Sequence, residues 1–218
     1  MEPDFWHERW RTGDIGFHRP EVHDLLIRHW PELGLAKGSE VLVPLCGKSR
    51  DMAWLAAQGH RVIGVELVEM AIDDFFAAEG LTPAIEFHDG FLVKRAEPYA
   101  LWCGDIFALP PAVTAGVAGV YDRASLVAFP PAEQPRFADA LARLTPASVP
   151  LLLIGLEFDS AEMTGPPFPA PRARVRDMLR AAFDITELEA REVLSANPGL
   201  AKRGLSGLTE TALVLTRR

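Results

Sequence analysis

Residues 41–52 read VLVPLCGKSRDM and decide the fold: an apolar, β-branched run stops at a proline and then enters a helical pattern. Residues 40–44 predict a buried strand, and residues 48–58 predict the helix that follows it. Residues 61–66 (RVIGVE) predict a second strand, and residues 69–79 predict a second helix. This order of strand, helix, strand and helix is typical of a parallel α/β sheet.

The rest of the chain continues the alternation and then changes it. Further strands are predicted at residues 100–103, 117–121 and 149–156, and further helices at residues 21–30, 133–144 and 173–182. Residues 185–193 and 209–216 alternate partly between apolar and polar side chains, as antiparallel edge strands do. We therefore expect a doubly wound, mostly parallel sheet with an antiparallel C-terminal strand pair. We expect residues 1–218 to form one domain, with an N-terminal lid and helix over 1–34 and a Rossmann-like core over 35–218.

Composition limits the classes of function. At 218 residues with 49 % hydrophobic side chains, the chain is long enough for one sizeable core. Its formal charge of −8 is opposite to that of proteins that follow a phosphate backbone, so no nucleic-acid partner is expected. Two distant cysteines, no signal-peptide pattern and no apolar run of membrane length predict a cytoplasmic protein with no membrane partner. We also expect a monomer.

The turn after the first predicted strand determines the kind of ligand. It contains one glycine, Gly47, and lacks both the G-x-G-x-x-G pattern of dinucleotide sites and the earlier glycine of a P-loop. Glu66 ends the second strand about 20 residues later, where a carboxylate can accept hydrogen bonds from ribose hydroxyls. A solvated strand end is the alternative for this residue. The pair Asp105 and Ile106 can meet an adenine ring or form an N-capped turn.

These three features, in this order, describe either a dinucleotide enzyme or an S-adenosylmethionine enzyme. A diphosphate needs close approach of the backbone to the phosphates. The methionine end of S-adenosylmethionine instead carries an ammonium, a carboxylate and a sulfonium, and it tolerates a bulkier turn such as Pro-Leu-Cys-Gly. The missing glycines therefore favour S-adenosylmethionine, and a nicotinamide-dependent oxidoreductase is the less favoured alternative.

Five motifs carry a resemblance to a known family. They are FWHERWRTGDIGFH, VPLCGKSRDMAWLAAQGHRVIGVEL, GDIF, YDRASLVAFP and GPPFP, and they occur in this order over nearly the whole chain. With them the sequence resembles the thiopurine S-methyltransferases, in particular the bacterial ones. The resemblance implies a class I methyltransferase sheet of seven strands, S-adenosyl-L-methionine as cofactor and a small-molecule thiol as acceptor. It also implies an acceptor contact for Phe17 and cofactor contacts for Trp10, Leu45, Glu66, Asp105, Ile106 and Arg123.

Direct participation in chemistry is considered for Asp122, Arg123 and His18. Arg123 can hold an anionic acceptor through paired N–H donors, and His18 can accept a proton, whereas a surface ion pair is the alternative for Asp122 and Arg123. No catalytic role is assigned, because alignment of acceptor, methyl group and leaving sulfur carries most of such a displacement. Cys46 is expected to be a small apolar residue of the turn, and the histidine spacing predicts no metal site.

The aromatic N-terminal segment predicts a lid. Trp6, Trp10 and Phe17 can attract a sulfonium through their ring faces and stack on a flat acceptor, and anchoring a short helix on the core is the alternative. The expected reaction is S-methylation of aromatic or heterocyclic thiols such as thiopurines, with selenium or tellurium species as further soft acceptors. The alternatives are methylation of small anions by a thiol- or halide-type enzyme, and a non-catalytic S-adenosylmethionine sensor.

Overall fold

A computed structural model describes residues 3–218. Nine strands form one sheet: β1 (Glu40–Pro44), β2 (Arg61–Glu66), β3 (Ala84–His88), β4 (Phe91–Ala96), β5 (Tyr99–Cys103), β6 (Val117–Arg123), β7 (Pro150–Glu157), β8 (Phe183–Glu192) and β9 (Thr209–Arg217). Their order across the sheet is β3-β4-β5-β2-β1-β6-β7-β9-β8. The first strand met in the sequence therefore lies at the centre, as in a doubly wound fold.

Seven helices accompany the sheet in the described residues: α1 (Pro3–Thr12), α2 (Asp24–His29), α3 (Arg50–Ala57), α4 (Glu69–Ala78), α5 (Gln134–Leu144), α6 (Arg172–Leu179) and α7 (Pro198–Lys202). The helix predicted over residues 21–30 begins later, at Asp24, and continues as a 3-10 turn over Trp30–Leu33 that the left-handed Gly34 ends. Ser49 caps α3, where its hydroxyl accepts a hydrogen bond from the Asp51 N–H.

The strand pairing confirms the predicted fold class. β1 pairs in parallel with β2 and β6, β2 with β5, and β6 with β7. β9 lies antiparallel between β7 and β8, which is the C-terminal arrangement that the alternating residues 185–193 and 209–216 predicted. All the expected strands are present, and only β4 and β9 run opposite to the others.

A hairpin of β3 and β4 adds two strands in a segment for which the sequence predicted only a polar interval. β3 lies at one edge of the sheet, and the side chains of Ile85 and Phe87 are exposed there. Because its apolar residues point to solvent, this strand lacks the buried face that makes an alternating pattern informative. The sheet consequently has nine strands instead of seven.

Each face of the sheet carries its own apolar layer. One layer packs beneath α5 and α6 and includes Phe137, Leu141, Val175 and Leu179. The other packs beneath α2, α3 and α4 and includes Leu25, Leu26, Met52, Leu55, Ile72, Phe75 and Phe76. A smaller cluster joins α1 to the start of α4. Among the described helices none has the length and apolar character that crossing a membrane requires.

Candidate active site

The carboxyl ends of β1, β2, β5 and β6 meet at one rim of the sheet, which is where open α/β sheets bind ligands. Two residues that follow these strands, Leu45 and Ala124, have left-handed backbone conformations with φ of 46° and 65°. For a residue with a Cβ this conformation costs about 1–2 kcal/mol, so the surrounding contacts must hold it. Strained backbone therefore marks both the turn after β1 and the loop after β6.

Glu66, at the end of β2, is hydrogen-bonded to the turn that follows β1. Its carboxylate accepts one hydrogen bond from the Gly47 N–H at 2.8 Å and another from the Val68 N–H at 2.9 Å. Burial raises the pKa of Glu66, and these main-chain donors act in the opposite direction. A carboxylate has about four acceptor positions, so Glu66 can still accept a hydrogen bond from a hydroxyl beside these main-chain donors. The structure does not support a solvated strand end, since Glu66 is buried.

Trp10 of α1 covers the same turn. A Cβ placed on Gly47 would lie 3.1 Å from Trp10 Cζ2, so only glycine fits against this ring without displacement. Trp10 is buried against Val68 and Ala71. It reaches the rim from the N-terminal segment and belongs to a cluster separate from the two main layers of the core.

Two further rings extend this aromatic surface. Phe17 makes edge contacts with Trp6 and Trp10, at centroid distances of 5.8 and 5.7 Å. The Lys48 Nζ lies 5.7 Å from the centre of the Trp10 ring and pairs with Asp74 at 2.9 Å. The structure thus brings together the predicted Trp10 and Phe17, and the predicted Trp6 is part of the same cluster.

Asp51, for which the sequence predicts no role, connects several residues of the rim beneath this segment. Its carboxylate accepts hydrogen bonds from the Tyr121 hydroxyl at 2.9 Å and from the His23 N–H at 2.8 Å. An Arg123 guanidinium nitrogen lies 3.9 Å from the same carboxylate. Burial raises the pKa of Tyr121 well above its usual range, and the charge of Asp51 adds to this effect. Only the three-dimensional structure reveals this role, because the partners are distant in sequence.

Arg123 and His18 both lie where the N-terminal segment meets the rim. Arg123 donates a hydrogen bond to the Phe17 carbonyl at 3.2 Å, so it ties the end of β6 to the aromatic segment. Burial lowers the pKa of His18, and the positive charges of Lys48, Arg123 and Arg50 lower it further. His18 is therefore neutral near pH 7 and able to accept a proton. Beside it lies a groove of about 380 Å³, lined by His18, Pro20, Lys48, Arg50, Asp74 and Ala78.

Asp105 and Ile106 follow β5 at the same rim. Asp105 Oδ1 accepts a hydrogen bond from the Phe107 N–H at 3.0 Å, which is the N-cap that the sequence left open as an alternative. The Asp105 side chain is exposed, whereas Ile106 is buried in the apolar layer beneath α5. The cap engages one carboxylate oxygen of Asp105 and leaves the other available to a ligand.

Asp122 differs from every other carboxylate of the rim. It is buried, its Oδ2 has no hydrogen-bond partner in the described part of the chain, and burial raises its pKa to about 7 against hydrogen bonds from Ser125. The alternative of a surface ion pair for Asp122 is therefore wrong, because the residue is inaccessible to solvent. Arg123, its neighbour, approaches Asp51 instead.

Cys46 of the turn is an apolar packing residue, and His23 belongs to a cluster with two carboxylates. Cys46 is buried, and burial raises the pKa of its thiol well above the usual range, as expected for an apolar packing residue. His23, Asp24 and Glu210 lie within 4.8 Å of one another. Arg191 donates to both carboxylates, and Arg19 and Arg28 lie near Glu210 and Asp24, so this cluster is an ion-pair network.

Solved structures with a similar fold include methyltransferases. The Burkholderia thailandensis 1,6-didemethyltoxoflavin-N1-methyltransferase, solved with its substrate and S-adenosylhomocysteine, superposes with a TM-score of 0.65 at 18 % identity, over 99 % of this chain and 86 % of the other. At this identity the likeness establishes the fold, and the fold is that of the class I methyltransferases.

Sequence comparison gives the family. The family model for thiopurine S-methyltransferase matches residues 1–218. The thiopurine S-methyltransferase of Pseudomonas entomophila is 47 % identical over 100 % of both chains, and that of Methylococcus capsulatus is 46 % identical over 97 % of this chain and 96 % of its own. The chain belongs to the thiopurine S-methyltransferase family, which confirms the resemblance that the five motifs carried.

Proposed function

We propose that this methyltransferase transfers the methyl group of S-adenosylmethionine to the sulfur of an aromatic or heterocyclic thiol, with thiopurines as the test substrates. The observation that carries the proposal is the arrangement at Gly47: its N–H is held by the Glu66 carboxylate, and its Cα faces the Trp10 ring. A glycine that must lack a side chain, beside a buried carboxylate and an aromatic face, suits a nucleoside that carries a cation.

The proposed cofactor site uses the predicted residues at the rim. Glu66 has lone pairs left for ribose hydroxyls, Asp105 has one uncapped oxygen for an adenine amino group, and Ile106 supplies an apolar surface beside it. Leu45 belongs to the strained turn at the methionine end, and Trp10 covers that turn. Arg123 would close the pocket through its link to the N-terminal segment.

The acceptor would lie against Phe17, which packs on Trp6 and Trp10. Flat aromatic rings stack favourably on such a surface, and a closed aromatic segment excludes water from the reacting sulfur atoms. The neighbouring cations Lys48, Arg50 and Arg123 favour the thiolate form of an acidic thiol. These charges also make a strong general base unnecessary, and His18, whose pKa they lower, is a group that can receive the thiol proton.

The chemistry is a direct displacement. When bound, S-adenosylmethionine supplies the methyl group: the acceptor sulfur forms a bond to the methyl carbon as the donor C–S bond breaks, which yields a thioether and S-adenosylhomocysteine. The thiol proton leaves to solvent or to His18. The residues of this chain would align the acceptor with the bound cofactor and keep water out, and alignment is the main source of acceleration in such a reaction.

Methyl transfer to 6-mercaptopurine, iodide, thiocyanate and selenite tests the choice of acceptor. We expect turnover with the thiopurine, a higher KM for it in Phe17→Ala, and unchanged affinity of that variant for S-adenosylhomocysteine. Phe87→Ala serves as the control, since Phe87 is exposed on the distant edge strand β3. Turnover of the small anions alone would favour a thiol- or halide-type enzyme. Tight cofactor binding without any turnover would favour a sensor.

A further inference from the structure

The loop after β6 and the turn after β1 are joined by one buried hydrogen bond. The Ser125 hydroxyl donates to the Pro44 carbonyl at 3.0 Å, and Ser125 is completely buried. Pro44 immediately precedes the left-handed Leu45, and Ser125 immediately follows the left-handed Ala124. A single bond thus connects the two strained segments of the rim.

The partner of Ser125 on β6 is Asp122. Tyr121 belongs to the apolar layer beneath α2, α3 and α4, so the alternation of the strand directs Asp122 to the opposite face. There the carboxyl group interacts with the side chain and main chain of Ser125, and its Oδ2 has no partner among residues 3–218. The causes of its raised pKa are burial, opposed by Ser125, and no cationic side chain is among them.

A hydroxyl group has one hydrogen to donate. If Asp122 were ionised, its carboxylate would compete with the Pro44 carbonyl for that hydrogen, and a buried charge would have no counter-ion. If Asp122 is protonated, its own hydrogen goes to the Ser125 oxygen, and Ser125 keeps its hydrogen for Pro44. The protonated form lets Ser125 keep its hydrogen for Pro44 and leaves no uncompensated charge in the core.

We propose that Asp122 and Ser125 are positioning residues, in which a protonated Asp122 donates to the Ser125 hydroxyl and Ser125 in turn holds the Pro44 carbonyl, so that the turn Pro44–Gly47 keeps its ligand-binding shape. The inference rests on the proposed function only in taking that turn as the cofactor turn. Neither residue touches the reacting atoms in this account. Their effect passes through Leu45 and Gly47, whose backbone conformations they maintain.

Calorimetry with S-adenosylhomocysteine separates the possible outcomes. Ser125→Ala and Asp122→Ala should each raise the Kd about 5- to 10-fold, the effect of one lost hydrogen bond. Asp122→Asn should bind within about 2-fold of the wild type, because its amide N–H replaces the acid hydrogen. If Asp122→Asn loses as much affinity for S-adenosylhomocysteine as Asp122→Ala, the proposal is overturned, because the negative charge would then be required. Unchanged binding by Ser125→Ala would overturn it as well.

A matched control and a second measurement keep the test independent of folding. Thr145 is equally buried and its hydroxyl donates to the Leu141 carbonyl at 2.7 Å, near the start of β7 at the opposite rim. Thr145→Val should lower the melting temperature without changing the Kd. Infrared difference spectra at pH 6 between the wild type and Asp122→Asn should contain the carbonyl band of a protonated carboxyl group. Its absence would overturn the hydrogen-bond chain, whereas a wild type that binds no S-adenosylhomocysteine would contradict the proposed function itself.

Discussion

Glu66 and Gly47 are joined directly: the carboxylate that ends β2 accepts the N–H of the glycine in the turn after β1, at 2.8 Å. The bond places a buried carboxylate of the rim against a residue that has no side chain. It also means that a substitution at Glu66 acts on the turn and on any ligand at once. Predictions about this site must therefore separate the two effects.

Replacement of Glu66 should weaken cofactor binding. Glu66→Ala removes the acceptor for two main-chain N–H groups and the proposed ribose contact, so we expect a loss of about 1–3 kcal/mol in the binding free energy of S-adenosylhomocysteine. Glu66→Gln keeps one carbonyl acceptor and should lose less. Calorimetry measures both, and an unchanged affinity for Glu66→Ala would show that the ribose is held by other groups.

Gly47→Ala should disturb the site more than strain alone can explain. The left-handed φ of 51° costs an alanine about 1–2 kcal/mol, and the new Cβ would also press on Trp10. Gly80→Ala is the matched control, because Gly80 has a φ of 67° and no neighbour within 4 Å of its Cβ position. We expect similar losses of stability but altered tryptophan fluorescence and weaker cofactor binding only in Gly47→Ala. Equal cofactor affinity in the two variants would argue against the contact with Trp10.

Trp10→Ala should release α1 and leave the sheet folded. Trp10 packs in the small cluster with Val68 and Ala71, whereas Trp30 packs in the main layer and donates to His60 at 3.1 Å. Trp30→Ala should therefore cost about 3–5 kcal/mol of global stability and Trp10→Ala distinctly less. Limited proteolysis of Trp10→Ala should cut within α1 first. A fall in melting temperature equal to that of Trp30→Ala would instead make Trp10 a core anchor.

Two buried carboxylates should shift stability with pH in opposite directions. Hydrogen bonds and charge from His23 and Arg191 lower the pKa of Glu210 to about 2 from an unfolded value of 4.5, despite its burial. Its contribution, on the order of 3 kcal/mol, is complete above pH 4.5 and is lost as the pH falls toward 2. Glu210→Gln should therefore be destabilised at pH 7 but not near pH 2. Glu86→Gln, which alters an exposed ion pair with Arg95, should change little at either pH.

Ionisation of Asp122 should change the stability with pH in the opposite direction to that of Glu210. Because its pKa rises from 3.8 to about 7 on folding, the native state binds the extra proton and loses stability as the pH increases through that interval. Asp122→Asn, which cannot ionise, should exceed the wild type in melting temperature at pH 8 and approach it at pH 4. The same difference at both pH values would show that Asp122 does not titrate in this range.

The central fold was predictable because its signals are local. The strands Glu40–Pro44 and Arg61–Glu66 match the predicted bounds, since continuous apolar runs between turn residues specify buried parallel strands. The hairpin of β3 and β4 was not predicted. Ile85 and Phe87 are apolar but exposed, so the positions of apolar residues do not indicate which face of this strand is buried.

The site was predictable only in part. Glu66, Leu45 and Trp10 lie in motifs, and the structure brings them to one rim. Asp51 was missed because its partners Tyr121 and His23 are 70 and 28 residues away, and the burial of Asp122 depends on the packing of β6 against its neighbours. The sequence contained the motif Tyr-Asp-Arg, but strand alternation sends its members to different environments.

Strand β3 is an edge strand of the sheet. Among residues 3–218 no further strand pairs with its outer main-chain groups, and Phe87 exposes 79 % of its surface beside them. An open, partly apolar margin of this kind is a template on which a second extended chain can add. Glu86, which bonds to Arg95 and His88 on the other side of the strand, puts charge beside that template. Crowded or partly unfolded preparations should consequently begin to aggregate along this edge of the sheet.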